Sequence, residues 1–252
     1  MNPRYVAPLA AALARRDRRI VLFDQRGTGS SATAIADRSR LTTAGAVADL
    51  DALREKLGES KLALIGHSWG GMLAMAYATA HPDRVRALLL IDPGPMDASE
   101  FDREEATHRA AQTATQRKAI RAAVRSHDLA RAYELDDAAN FFDHTKVGLV
   151  RASVGKQPLY NFALLKSLGA ELAHFDVRRG MHALHAPIDL VFGRADPGYF
   201  GAAQIHALSP STKLATIQRA GHYPWLEQPK ATYAALNAFL TSLVRMRRRK
   251  LF

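Results

Sequence analysis

The apolar residues of this chain are concentrated in short runs separated by longer, more polar segments. Five of these runs are rich in aliphatic or β-branched residues, lack regular polar alternation, and are followed closely by Gly, Asp or Pro. Runs of this kind are typical of strands that are buried on both faces of a sheet. The predicted strands are Ile20–Phe23, Leu62–Ile65, Val85–Ile91, Ile188–Phe192 and Leu214–Ile217.

Between these runs the spacing of apolar residues changes to three and four, which predicts helices. The predicted helices span residues 4–16, 43–57, 72–80 and 231–244. Strands that alternate with helices form βαβ units, which build a parallel sheet with right-handed crossovers. The pattern therefore predicts an α/β fold with a mostly parallel sheet flanked by helices.

The alternation stops between Pro95 and Ala186, where no run is typical of a strand. This part of the chain is rich in Ala, Arg and Glu, and its residues 162–175 carry leucines at helical spacing. We therefore predict that residues 1–95 and 186–252 form the core. Residues 96–185 are predicted to be a helical cap inserted into that core.

The composition of the 252 residues excludes several classes of protein. A chain without cysteine has no disulfides, no thiolate nucleophile and no zinc–thiolate site. The mean hydropathy is −0.17, and no apolar run approaches the roughly 20 residues of a membrane-spanning helix. No metal-binding, phosphate-binding or dinucleotide-binding motif is present, so we expect no metal and no cofactor. The missing cysteines and signal peptide favour a cytoplasmic location.

The formal net charge of +11 raises the question of nucleic-acid or membrane binding. The densest group of cations lies at the end of the last predicted helix, where positive charge complements the helix dipole. No nucleic-acid motif with interleaved aromatic residues accompanies it. We interpret it as a solvated tail and expect a small-molecule or short-peptide substrate as the partner, not nucleic acid or a membrane. The cations are Arg245, Arg247, Arg248, Arg249 and Lys250.

The strongest chemical signal is the sequence Gly-His-Ser-Trp-Gly-Gly at residues 66–71, which lies between a predicted strand and a predicted helix. A serine on a sharp strand-to-helix turn is strained and exposes its hydroxyl above the sheet, and the flanking glycines avoid collisions within the turn. We predict that Ser68 is a nucleophile and that the backbone N–H of Trp69 stabilises an oxyanion. The alternative is a purely structural turn.

A serine hydroxyl needs a base, and the base needs a group that orients it. His222 follows a glycine in the loop after the last predicted strand, at the edge where such a sheet presents its ligands. Asp196 follows the fourth predicted strand, whereas Asp189 lies inside that strand. We therefore predict His222 as the base and Asp196 as the acid, in the chain order Ser68, Asp196, His222.

Four segments together resemble the proline iminopeptidases and their close relatives among the α/β-hydrolases. They are Asp-Gln-Arg-Gly-Thr-Gly-Ser at 24–30, the serine motif at 66–71, Gly-Arg-Ala-Asp at 193–196, and Gly-His-Tyr-Pro-Trp at 221–225. The resemblance covers residues 5–95 and 186–244 and implies an α/β-hydrolase fold. It also implies a Ser-His-Asp mechanism that acts on small peptides. The loop at 24–30 is the most family-specific segment, and we interpret it mainly as a structural turn.

Two departures from the family pattern affect this interpretation. Members of the family have an H-G-G-P-G loop, which supplies a second oxyanion donor, and a further strand between those that match Ile20–Phe23 and Leu62–Ile65. Nothing in residues 1–19 replaces them, so we expect an N-terminally shortened or gapped sheet. The family also uses cap glutamates, often near a Trp-Glu pair, to bind the substrate amine. The predicted cap has no tryptophan, and its candidates are Glu134 and Glu171.

Three functional hypotheses stay open at this point. The loop at 24–30 favours an aminopeptidase that prefers proline, while the cap without tryptophan favours a hydrolase of small esters or amides. The missing oxyanion loop favours a truncated or non-catalytic member of the fold.

Overall fold

The structure is a computed structural model that describes residues 3–14, 19–32, 41–155, 161–208 and 212–249, without the side chains of 162–163 and 244–249. The C-terminal cations predicted to form a solvated tail therefore lie outside the described side chains. Residues 15 and 16, the last two of the predicted helix 4–16, also lie outside the described residues.

The described residues form one four-stranded sheet in which neighbouring strands are parallel. The strand order follows the chain order. This confirms four of the five predicted strands, each one to three residues longer than its apolar run. The strands are β1 (Leu62–Ser68), β2 (Val85–Pro93), β3 (Ile188–Gly193) and β4 (Lys213–Ile217).

The fifth predicted strand, Ile20–Phe23, is wrong, because residues 19–25 have no regular secondary structure and no strand partner among the described residues. Val21 and Leu22 are 42% and 43% exposed. β1 is an edge strand, since β2 is its one neighbour in the described sheet. A strand needs the backbone of a neighbour for its hydrogen bonds, and an apolar run cannot reveal whether that neighbour exists.

Helices connect and flank the strands. Those before β2 are α1 (Ala7–Leu13), α2 (Thr43–Lys56) and α3 (Trp69–Ala80). Those between β2 and β3 are α4 (Phe101–Ala111), α5 (Ala114–Arg125), α6 (Leu129–Asp137), α7 (Gly148–Val154), α8 (Phe162–Leu172) and α9 (Arg178–His182). Those after β3 are α10 (Gly201–His206), α11 (Pro224–Glu227) and α12 (Pro229–Arg249).

The sheet is buried on both faces, as its continuous apolar runs predict. Successive residues of β2 point to opposite faces: Leu88 and Leu90 join one core cluster, while Ala87, Leu89 and Ile91 join the other. The first cluster packs against α2, α3, α9 and α10. The second packs against α1, α7 and α12. The strands therefore form the rigid centre of the molecule, and their carboxyl ends are held in fixed positions.

The segment between β2 and β3 contains helices and no strand among its described residues. A single antiparallel bridge between Asp97 and Asp176 joins its two ends. No helix in the described part of the chain is both long enough and apolar enough to span a membrane.

The turn after β1 depends on a close approach of backbone segments. A Cβ built on Gly66 would lie 2.3 Å from the carbonyl oxygen of Gly70, and one built on Gly71 would lie 2.6 Å from Pro93 Cβ. A Cβ on Gly70 would meet nothing within 4 Å. Two of the three glycines are therefore required by packing, but the prediction that all of them avoid collisions is wrong for Gly70.

This difference predicts opposite effects for two matched substitutions. Gly66→Ala should lower the free energy of unfolding by about 1–3 kcal/mol or more, because the obstacle is backbone that cannot move aside. Gly70→Ala should leave stability unchanged or raise it by up to about 1 kcal/mol, since alanine is the better helix former in α3. Urea unfolding of both variants measures this, and equal stability losses would contradict the packing of the turn.

Candidate active site

Ser68 occupies the turn between β1 and α3, where its backbone has φ 54° and ψ −124°. This conformation costs a residue with a Cβ on the order of 1–3 kcal/mol, and such strain is concentrated at functional sites. The side chain is half-buried at the carboxyl end of the sheet. The turn therefore has the geometry expected for a nucleophile between a buried strand and a helix.

The structure brings Asp196 and His222 into direct contact, although 26 residues separate them in the chain. His222 Nδ1 lies 2.5 Å from Asp196 Oδ2, and both side chains are buried. The other oxygen of Asp196, Oδ1, accepts a hydrogen bond of 2.5 Å from the backbone N–H of Gly198. The carboxylate accepts from Nδ1, so Nε2 is the ring nitrogen left to take up a proton.

The ionisation of His222 is set by opposing influences. Burial lowers its pKa, but attraction to the Asp196 carboxylate and the hydrogen bond with it outweigh burial and raise the pKa to about 9. Asp92 and Glu104 also face the imidazole. Two further groups face this imidazole, the Asp137 carboxyl and the His67 ring. The surroundings thus stabilise the imidazolium that forms when His222 accepts a proton.

The loop that carries the acid is tied to the loop that carries the base. The backbone N–H of Ala195 donates to the carbonyl of Ala220 at 2.9 Å. The two loops approach so closely that a Cβ on Gly193 would lie 2.0 Å from the carbonyl oxygen of Gly221. Glycine at position 193 therefore lets the ends of β3 and β4 approach within reach of one hydrogen bond.

A buried carboxylate, Glu227, holds the loop that carries His222. It accepts hydrogen bonds from the backbone N–H of Gly221 at 2.7 Å and from those of residues 142 and 143 at 3.1 and 2.9 Å. The backbone N–H of His222 itself donates to the carbonyl of Asn140 at 2.7 Å. The base is therefore positioned partly by the helical segment between β2 and β3.

His67, the residue before Ser68, links the serine turn to the base. Its Nε2 lies 2.7 Å from the carbonyl oxygen of His222, which can only accept, so Nε2 carries the proton. Its Nδ1 therefore accepts from the hydroxyl of Tyr5 at 2.6 Å. Burial, followed by repulsion from His222, holds the pKa of His67 well below its ordinary value. A neutral imidazole thus connects the N-terminal segment, the serine turn and the loop of the base.

The sequence model of the family described as alpha/beta hydrolase fold matches residues 2–229. The chain belongs to the α/β-hydrolase family. A crystal structure of a proline iminopeptidase from Mycobacterium smegmatis has a TM-score of 0.69 and 20% sequence identity, covering 96% of this chain and 86% of that one.

Two curated relatives match this chain over very different lengths. A "Proline iminopeptidase" of Xylella fastidiosa (strain 9a5c) is 49% identical over 72 residues, which are 29% of this chain and 23% of that protein. The match thus spans about a quarter of that protein. A Bacillus subtilis (strain 168) protein named "Putative 2-succinyl-6-hydroxy-2,4-cyclohexadiene-1-carboxylate synthase" is 27% identical over 244 residues, covering 90% of this chain and 82% of that protein.

In this α/β-hydrolase the loop 24–30 is a tight turn that docks against the serine turn. A Cβ on Gly29 would lie 2.3 Å from the Asp24 carboxyl, and Gly29 has φ 48°. Gln25 Oε1 accepts a hydrogen bond of 3.0 Å from the indole of Trp69. Trp69 is the first residue of α3, so its backbone N–H is among those that have no partner within the helix. The loop therefore positions the residue predicted to bind an oxyanion.

A small cleft lies beside Asp196, between the ends of β2 and β3. Two carboxylates of the helical segment line it, Glu100 and Glu104. Glu100 is buried; its Oε1 accepts from Gln204 Nε2 at 2.6 Å, while its Oε2 has no hydrogen-bond donor among the described residues. Burial, followed by repulsion from Asp196, raises the pKa of Glu104 to about 7. The cleft is therefore lined by two acidic side chains, of which Glu104 ionises only as the pH rises through about 7.

The two glutamates predicted to bind substrate have other partners. Glu171 Oε2 accepts a hydrogen bond of 2.6 Å from the backbone N–H of Thr43, at the first residue of α2. Glu134 forms an ion pair of 3.7 Å with Arg131 on the surface of α6. Within the described residues, no hydrogen bond or ion pair links either glutamate to the Asp196–His222 pair.

Sequence reasoning missed the groups that support the site. Tyr5 and Glu227 carry no motif of their own, and their partners are distant backbone or ring atoms. Glu100 and Glu104 were visible as an i, i+4 pair directly after β2, which was a usable signal. The described residues contain no group of three side chains suited to hold a metal ion.

The contact between Tyr5 and His67 predicts a specific loss of stability. Tyr5→Phe should lower the free energy of unfolding by about 1–3 kcal/mol, because it leaves the buried His67 Nδ1 without a donor. Tyr233→Phe is the matched control, since Tyr233 packs against the same core cluster and its hydroxyl makes no hydrogen bond among the described residues. Urea unfolding compares the two, and equal losses would argue against the hydrogen bond.

Proposed function

We propose that this chain is a serine hydrolase in which Ser68 is the nucleophile, His222 the general base and Asp196 the group that orients the base. The observation that carries the proposal is the buried 2.5 Å contact between His222 Nδ1 and Asp196 Oδ2. It is supported by the strained backbone of Ser68 and by the His67 ring, which lies 4.5 Å from the His222 ring. A structural turn alone would not account for a buried histidine–carboxylate pair at the same edge of the sheet as a strained serine.

The proposed reaction proceeds through an acyl-enzyme. Ser68 Oγ attacks the substrate carbonyl while His222 Nε2 accepts the hydroxyl proton, and the backbone N–H of Trp69 stabilises the oxyanion. His222 then donates this proton to the leaving group as the bond to the carbonyl carbon breaks. Water, activated by His222 in the same way, attacks the acyl-enzyme and releases Ser68. Asp196 stays ionised and stabilises the imidazolium in both steps.

We also propose that residues 96–185 act as a cap on a core formed by residues 1–95 and 186–252. The backbone contacts of Asn140 and residues 142–143 with the base loop support this role, because they couple the helical segment to His222. The same segment contributes Glu100 and Glu104 to the cleft beside Asp196. The cap would thus both complete the catalytic site and select the substrate.

For the substrate we propose a small peptide or amide with a free amino terminus, as in a prolyl aminopeptidase. The partial similarity to proline iminopeptidases supports this class, and so do the acidic cleft and its unpartnered Glu100 Oε2. We place the amine at Glu104 in preference to Glu134 or Glu171, since Glu104 lies in the cleft. Hydrolysis of a small ester is the second candidate, favoured by the absence of tryptophan from residues 96–185.

The nucleophile is tested by covalent labelling. A fluorophosphonate probe should label the folded protein stoichiometrically at Ser68, because a nucleophile activated by a base attacks the phosphorus centre. Intact-mass and peptide mass spectrometry measure the site. Ser68→Ala should abolish labelling, and His222→Gln should slow it by several orders of magnitude, on the order of 10³-fold or more. Folded wild-type protein that labels no faster than Ser68→Ala would refute the serine hydrolase mechanism.

The substrate class is tested by comparing proline p-nitroanilide with p-nitrophenyl acetate. Glu104→Gln should raise KM for the anilide roughly 10- to 100-fold, because the ammonium group loses an ionised partner, and leave acetate hydrolysis nearly unchanged. In the wild type, KM for the anilide should rise as the pH falls through about 7, where Glu104 becomes protonated.

Glu105→Gln is the matched control, since Glu105 neighbours Glu104 but is exposed on α4. It should change neither reaction. Turnover of the acetate alone would remove the aminopeptidase assignment and leave the esterase.

A further inference from the structure

Asp92, near the end of β2, is a buried carboxyl that the proposed reaction does not use. It is 1% exposed, and its backbone has φ 38°. Its Oδ1 accepts a hydrogen bond of 2.8 Å from the backbone N–H of Gly193. Its Oδ2 is fully buried and has no hydrogen-bond donor among the described residues. An ionised carboxylate would leave this oxygen desolvated and unpaired, which is costly.

The Asp92 and Asp196 carboxyls are neighbours around Gly193: its N–H binds Asp92 Oδ1, and its carbonyl accepts a 3.1 Å hydrogen bond from the backbone N–H of Asp196. The two carboxyls interact with each other there. Two ionised carboxylates cannot hydrogen-bond each other, because both are acceptors only, so a proton must lie between them. Both oxygens of Asp196 already accept hydrogen bonds, one from His222 Nδ1 and one from the Gly198 N–H, whereas Asp92 Oδ2 has no donor among the described residues. The proton therefore belongs to Asp92.

The charges around this pair agree with that placement. Burial, followed by repulsion from Asp196, raises the pKa of Asp92 well above its ordinary value. His222, together with the Gly193 N–H, opposes this shift without reversing it. The other titratable groups that face His222 and Asp196 come from neighbouring elements: Glu104 of α4, Asp137 of α6 and His67 of β1.

We propose that Asp92 is a positioning residue, a neutral carboxylic acid whose O–H donates to the Asp196 carboxylate and holds it in line with His222. The inference rests on the proposed function, because it assigns Asp92 a role in the same site. With this bond Asp196 accepts three hydrogen bonds: from Gly198 N–H, from His222 Nδ1 and from Asp92. The neutral form also keeps a second negative charge away from the imidazole.

Asparagine is the matched substitution at this position. Its amide oxygen can accept from Gly193 and its NH₂ can donate to Asp196, which reproduces the neutral acid and not the carboxylate. Asparagine also tolerates the positive φ of residue 92. Asp92→Ala removes the donor and serves as the comparison, with its folding checked by thermal unfolding.

The experiment measures kcat/KM against pH for wild type, Asp92→Asn and Asp92→Ala on whichever ester or anilide the wild type turns over. Asp92→Ala should reduce kcat roughly 10- to 100-fold, since a hydrogen bond to a charged group is lost. Asp92→Asn should recover most of this loss and keep the acidic limb of the profile at the wild-type pH. That limb should lie above the ordinary histidine pKa of about 6.5, because attraction and hydrogen bonding to Asp196 outweigh burial and raise the pKa of His222.

Three results would overturn the proposal. A limb that moves to lower pH in Asp92→Asn would mean that the substitution removed a negative charge facing His222, so Asp92 is ionised. Equal reductions of kcat/KM in Asp92→Asn and Asp92→Ala would mean that a hydrogen bond donated by residue 92 to Asp196 has no effect on the reaction. An Ala variant as active as wild type would mean that Asp92 positions nothing.

A second measurement is independent of turnover and of the folding of the Ala variant. In ¹³C carboxyl NMR of aspartate-labelled wild type, with Asp92→Asn as the assignment control, the Asp92 signal should stay that of a neutral acid between about pH 5 and pH 8. An ionised signal in this range would overturn the proposal. A protein that shows neutral Asp92 but neither labels at Ser68 nor turns over substrate would instead refute the proposed function.

Discussion

The buried hydrogen bond between His222 and Asp196 is the interaction on which the organisation of the sheet edge depends. Burying a carboxylate and an imidazole costs several kcal/mol unless every remaining polar atom finds a partner. Gly198 N–H satisfies one oxygen of Asp196, and the neutral acid we assign to Asp92 would satisfy the carboxylate further. Glu227 fixes the loop that carries the imidazole through three backbone N–H groups. The surrounding polar groups thus stabilise one geometry of the pair.

The parallel sheet makes this geometry possible, because the carboxyl ends of its strands meet at one edge. The strand ends contribute Ser68 from β1, Asp92 from β2, Asp196 after β3 and His222 after β4. Close packing on both faces of the sheet prevents these ends from moving independently. The strained turn at Ser68 persists since the surrounding packing over-determines it.

The local pattern of apolar residues was enough to predict the strands whose own side chains are buried in the core. Four apolar runs are strands in the structure, and Asp196 and His222 were named as candidates because each follows one of them. Ile20–Phe23 has the same pattern but is not a strand, since strand formation also needs a neighbouring backbone. Tyr5 escaped prediction because its partner His67 is 62 residues away and the contact has no periodic signature. The candidate residues with short-range signals could thus be named from the sequence, and the groups that support them through tertiary contacts could not.

The most direct test of this account is the crystal structure of the protein after reaction with a fluorophosphonate. The account predicts phosphorus bonded to Ser68 Oγ, the phosphonyl oxygen within about 2.7–3.1 Å of the Trp69 backbone N–H, and His222 still hydrogen-bonded through Nδ1 to Asp196 with Nε2 directed at the adduct. An adduct on another residue, or an imidazole turned away from Ser68 with its Asp196 contact broken, would contradict it.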